Sequence, residues 1–165
     1  MKKGLLAIFA AFSTVLLAGC GVNVIDYNDK LVELGKACYT AEEVIDTELN
    51  LENYEGAQTA LTAALNLCAA NAETVKNMEG YKDDTDLRDA FAAVLDSEVV
   101  YLEKYGELIA YYTLSDEEWT DEVEAAADAL FEEVSALYDL TIDASDNLQI
   151  VQEAFATRHG YELEA

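Results

Sequence analysis

Proline is absent from this chain, and histidine occurs once, at His159. Without proline, no residue locks φ and removes a backbone donor inside a helix. Glycine is sparse. Of the eight, six follow residue 19: Gly21, Gly35, Gly56, Gly80, Gly106 and Gly160. Gly-rich phosphate-binding loops are missing, so that class of nucleotide site is excluded. A single histidine excludes the paired Glu-x-x-His motifs of a di-iron bundle. It also leaves Ser-His-Asp catalysis one imidazole, at the far C-terminal end, where a helix-terminal cation is the plainer reading. There are three cysteines and no C-x-x-C-H, so c-type haem attachment is excluded.

Positive charge is the other scarcity. Nine Lys and Arg stand against 34 Asp and Glu, a net charge of -25. Lys2 and Lys3 lie in the first 19 residues, which hold no acid, so the chain from Cys20 carries -27. Such a surface repels nucleic acid, and no nucleic-acid partner is expected. The acids Asp83, Asp84, Asp86 and Asp89 do not form a calcium loop. Counted from Asp84, the required glycine and the twelfth-position Glu are Asp89 and Leu95. No metal or cofactor site is expected.

What remains is rich in Ala, Leu and Glu, all good helix formers. The hydrophobic fraction is 52%, and its residues recur at helical spacing. Helix 1 is expected over 24–49, with the seam Tyr27, Leu31, Leu34, Cys38, Ala41 and Ile45. Thr40 and Glu43 match a capping box, although the seam runs through in phase. Helix 2 follows over 54–79, with Ala57, Leu61, Leu65, Cys68, Ala72 and Val75, and Gly80 suits a left-handed cap. Helix 3 opens at the acidic stretch 82–86 and continues through Leu87, Phe91, Val94, Tyr101, Tyr105, Leu108 and Tyr112 to about 113. Ser115 and Glu118 form a capping box for helix 4. Its seam runs from Trp119 to Phe155 and stops at Gly160. Short loops make this an all-α, antiparallel up-down-up-down four-helix bundle with a long fourth helix. The bundle spans 24–160, followed by a tail at 161–165.

The N-terminus carries the most specific motif. Lys2 and Lys3 precede an apolar run from Leu5 to Leu17, too short for a spanning helix. The run ends in Leu17-Ala18-Gly19-Cys20. This tetrapeptide resembles the lipobox of bacterial lipoproteins. The resemblance implies a signal peptide at 1–19 that is cleaved, and lipidation of Cys20. Residues 20–23 then form a short tether to the membrane. Two or more acyl chains anchor stably where one is marginal. The implied location is the cell envelope, facing the periplasm or exterior. Gly21 rather than Asp follows the cysteine, which favours the outer membrane if the source is a diderm. The helical domain resembles small four-helix lipoproteins of unknown function.

With Cys20 lipidated, Cys38 and Cys68 are left as a pair on adjacent helices. Two readings stand open: a disulfide, or two buried free thiols. Ten tyrosines allow a tyrosine-lined groove. If helix 4 is unbroken, it overshoots the start of helix 1. Leu148, Val151 and Phe155 would then form a docking surface beside the membrane. A break around 139–146 is the competing arrangement. The expected function is a non-catalytic envelope bundle that binds or braces an envelope protein. The alternative is a solute- or cation-binding module with an acidic or tyrosine-lined cleft.

Overall fold

The computed structural model describes residues 23–163. Cys20 and its lipobox lie outside the described residues. Four helices follow in order: α1 Val24–Asn50, α2 Tyr54–Lys76, α3 Asp86–Tyr111 and α4 Asp121–His159. They form a four-helix bundle in which successive helices run antiparallel. The near end, as we use the term, holds the start of α1, the α2–α3 loop and the finish of α4. The far end holds the α1–α2 turn and the α3–α4 loop. No helix among the described residues is long and apolar enough to cross a membrane.

Each helix starts and stops for an identifiable reason. Asn23 and Asn53 accept from the backbone N–H groups of Ile25 and Gly56, and Thr120 accepts from Val123 N. These side chains satisfy donors that a helix leaves free in its first turn. At the other extreme Gly160 adopts φ 72°, and its N–H bonds Ala156 O, the left-handed stop that glycine permits. The expected cap at Gly80 does not form. Helix α2 stops three residues earlier, where the Asn77 side-chain amide donates to Glu73 O at 2.7 Å and Arg88 donates to Met78 O at 3.0 Å. Those bonds satisfy carbonyls that would otherwise call for a glycine. The left-handed residues here are Lys82 and Asp83, in the tight turn before α3.

The start of α4 is also shifted. Ser115 donates to Glu118 through both N and Oγ, at 2.9 and 2.7 Å. The box closes one turn only, and the helix proper begins at Asp121. From there α4 runs 39 residues without a break, about 58 Å. Thr141 and Ser145, in the stretch where a break was the alternative, are buried core residues. Likewise α1 is continuous through Thr40 and Glu43.

Helix α3 is the centre of the bundle. It packs along both α2 and α4 and approaches α1 diagonally, whereas α1 and α4 are the most widely spaced neighbours. Gly106 lets α2 and α3 close up, because a Cβ there would collide with the Leu61 side chain. Buried amides set the axial register: Asn71 donates to Leu34 O at 2.9 Å, and Gln152 to Asn28 Oδ1 at 2.8 Å. Counted from the Asn28–Gln152 bond, Asn50 at the end of α1 falls level with Leu130. The first turns of α4 therefore stand beyond α1 at the far end. The surplus length expected at the near end is absent there. Cys38 and Cys68 form a disulfide between α1 and α2, with Cα atoms 5.2 Å apart.

Candidate functional site

Three places hold side chains that the packing of an all-apolar bundle would not require. The first is the near end. Asp84 accepts from Arg158 Nε and His159 Nε2, both at 2.9 Å. Its other oxygen accepts from Asp86 N at 3.1 Å. Burial alone would raise this carboxyl's pKa, but the bonds from His159, Arg158 and the Asp86 amide outweigh it and hold it below the ordinary range. The cluster clasps the last turn of α4 to the loop before α3. His159 also lies edge-on to Tyr81 at 4.9 Å and against Phe155 at 4.4 Å.

This clasp closes over the residues expected to form a docking surface. Phe155 is 0% exposed and Leu148 1%. Val151 is half-buried against the same core. Tyr27 from α1, Tyr81 from the loop and Tyr161 from the tail surround the Phe155 ring at 6.1, 6.0 and 6.2 Å. The docking assignment for Leu148, Val151 and Phe155 is therefore wrong. The missing partner of Phe155 is supplied by Tyr81 of the α2–α3 loop and Tyr161 of the tail, neither of which helical periodicity could place.

The second place is a polar layer inside the bundle, facing the wide α1–α4 spacing. Glu98 of α3 is 6% exposed. It hydrogen-bonds Glu42 of α1, and its Oε1 has no hydrogen-bond partner among the described residues. Burial, then the Glu42 charge and hydrogen bond, push its pKa up to about 9. At neutral pH Glu98 is a neutral acid and donates to Glu42. Tyrosines flank the pair: Tyr101 stacks on Tyr105 with centroids 5.5 Å apart and meets Tyr138 of α4 at 5.5 Å. Burial and neighbouring carboxylates push both the Tyr101 and Tyr105 hydroxyls up, so they stay protonated. A cavity of about 10 Å³ lies against Glu98, lined otherwise by groups such as Gly35, Phe91 and Val94. That is room for about one water, far below the several hundred Å³ of a solute pocket. Among the described residues, no three or more His, Cys, Asp and Glu side chains are grouped to hold a metal ion.

The layer has a thermodynamic consequence. In the unfolded chain Glu98 titrates near 4.5, and in the fold near 9. The folded state thus holds a proton that the unfolded state has lost, so stability falls as pH rises through this window. Between pH 7 and 9, where the ordinary carboxylates are already ionised, the expected loss is about 2–3 kcal/mol. Glu98→Gln keeps a donor toward Glu42 and should flatten that part of the profile. Denaturant unfolding at the two pH values, for both proteins, checks it. An unchanged slope in Glu98→Gln would assign the effect elsewhere.

The third place is the far end. Tyr54 at the start of α2 stacks on Tyr112 at the end of α3, with centroids 5.7 Å apart and planes 9° apart. Tyr111 meets Trp119 edge-on at 6.4 Å. Both Tyr112 and Trp119 were expected on core-facing seams, yet they are 49% and 41% exposed, and Leu51 in the α1–α2 turn is 69% exposed. The seam extrapolation fails there because α3 ends at Tyr111 and α4 starts only at Asp121. Elsewhere the exposed large apolar residues are dispersed, with Phe131, Leu140 and Ile150 on different sides of α4.

Sequence reasoning missed Glu98, although its signal was present. The α3 seam steps from Val94 to Tyr101, and Glu98 occupies the skipped inward position. The far-end aromatics had no comparable signal, since their exposure depends on where two helices stop. No protein-family model, curated protein or solved structure matches this chain.

Proposed function

We propose that this protein is a lipid-anchored component of a bacterial cell envelope, and that its bundle acts by binding another envelope protein rather than by catalysis. The lipobox tetrapeptide supports the anchor. The observation that carries the binding role is the far end, where Tyr112, stacked on Tyr54, and Trp119, edge-on to Tyr111, are both exposed. Lipidated at Cys20, three residues before the first described residue, the chain would hold its near end at the membrane. Its aromatic tip would then stand at the opposite end of the bundle, farther off than the length of the 27-residue α1, about 40 Å. Aromatic side chains exposed on a rigid end are the groups that dominate protein–protein contacts. The interhelix disulfide and the continuous α4 make that end a stiff presentation platform.

The anchor is tested by fractionation. Cys20→Ser is expected to shift the protein from the membrane pellet to the soluble fraction. A variant that pellets as firmly as wild type would sink the lipoprotein reading.

A second reading draws on the Glu98–Glu42 layer. Loss of the Glu98 proton would leave two carboxylates beside Tyr101, Tyr105 and Tyr138, a set with the chemistry to hold a small cation in that proton's place. The cavity there is too small for an organic solute as it stands, which ranks this reading second.

A further inference from the structure

The far end has a charge as well as an apolar character. No Lys or Arg occurs between Lys36 and Lys76, or between Lys104 and Arg158. Those two stretches supply all of the α1–α2 turn, the α3–α4 loop and the opening of α4. Every basic side chain of the described chain therefore lies outside the far end. Along the chain, Glu52 follows the exposed Leu51, and Glu117 and Asp121 flank the exposed Trp119. The three bases nearest the other extreme, Lys82, Arg88 and Arg158, cluster with the near-end loop, where Arg88 and Arg158 pair with Asp89, Asp84 and Asp86.

We propose that the far end is the docking surface of this protein, and that its partner is a protein segment rich in arginine or lysine. The inference rests on the envelope-binding reading above and names the partner's chemistry. Three physical arguments select that occupant. Exposed Trp and Tyr faces attract guanidinium and ammonium groups, most strongly for Trp. Acids on the same end with no local cation leave a one-signed field, which steers a basic partner and repels an acidic one or an anionic membrane surface. The paired rings of Tyr54 with Tyr112, and of Tyr111 with Trp119, are already held against one another, so little side-chain freedom is lost on binding. A second copy of this chain is disfavoured by the same charge, because the two far ends would repel.

Trp119 is the only tryptophan in the chain, so its fluorescence reports on this surface alone. The probe is a short peptide of alternating arginine and glycine, titrated into the full-length lipidated protein in neutral detergent. A saturable change in Trp119 emission is expected, absent with the neutral citrulline counterpart. The tip variant Tyr112→Ser should weaken binding about tenfold. Ile150→Ser, an exposed apolar change toward the near end of α4, should leave it unaltered. Equal binding of the citrulline peptide, equal affinity in the tip variant, or no binding at all each overturns the proposal. A photocrosslinking amino acid at Tyr112 in living cells separates the two levels. A crosslinked partner without arginine-peptide binding means the docking reading stands and the partner's chemistry is wrong. No crosslinked partner overturns the docking reading and the proposal with it, whatever the peptide does.

Discussion

Phe155→Ala is expected to lower the unfolding free energy by about 3–5 kcal/mol. The ring is 0% exposed and is the common neighbour of Tyr27, Tyr81, His159 and Tyr161. Truncation removes the transfer free energy of the ring and leaves a cavity. That cavity can collapse only if α1, the α2–α3 loop and the tail all move toward α4. The loop is held by the Asp84 bonds to Arg158 and His159, so collapse is resisted. Denaturant unfolding at fixed pH is the measurement. A cost below about 1 kcal/mol would fit an ordinary surface change and would return Phe155 to the role of a docking residue. Val151→Ala, at a half-buried neighbour on the same helix, should cost distinctly less.

Removing the crosslink is expected to cost about 3–4 kcal/mol. Cys38 and Cys68 are separated by 30 residues, and closing a loop of that size restricts the unfolded chain more than the folded one. In the fold α1 and α2 are already adjacent, with Asn71 bonded to Leu34 O at 2.9 Å, so the bundle should survive without the bond. The prediction is a lowered denaturant midpoint, with native helicity retained, for the Cys38→Ala and Cys68→Ala double variant. A midpoint equal to wild type would mean that the two thiols are not joined in the protein as it is made. Both sulfur positions are buried, so alanine there leaves only a small void.

How much of this was legible in the residues can be judged from particular cases. The α1 seam through Tyr27, Leu31, Cys38 and Ile45 is buried at all four positions, because a period of 3.6 and the apolar pattern specify the inward face without reference to any other element. Gly160 ends α4 as expected, since a left-handed stop is a local property of the backbone. Gly80 and the Ser115–Glu118 box misled for the complementary reason. Each is a valid local signal, yet at Gly80 the carbonyls were satisfied first by Asn77 and by Arg88 from the next helix. Cys38 and Cys68 could be placed on adjacent helices from sequence, but their pairing waited on an axial offset of about one turn between α1 and α2.

The residues by themselves determined the helical class, the number of helices and the inward face of each. Periodicity, helix propensity and the lack of proline act within a single helix and need no partner. The expectation of no nucleic-acid partner, and the lack of the familiar metal and haem motifs, also came from composition alone, since charge and ligand inventory do not depend on fold. Tertiary structure decided everything that depends on two elements meeting. It set the side-by-side offset of the helices, which joined the cysteines and moved the surplus of α4 to the far end. It enclosed Glu98 against Glu42 and so raised a carboxyl that is ordinary in the unfolded chain. It buried Phe155 under a loop and a tail, and left Tyr112 and Trp119 in the open. Relative placement is a sum of many small packing terms distributed over the whole bundle, and no local stretch of sequence carries it.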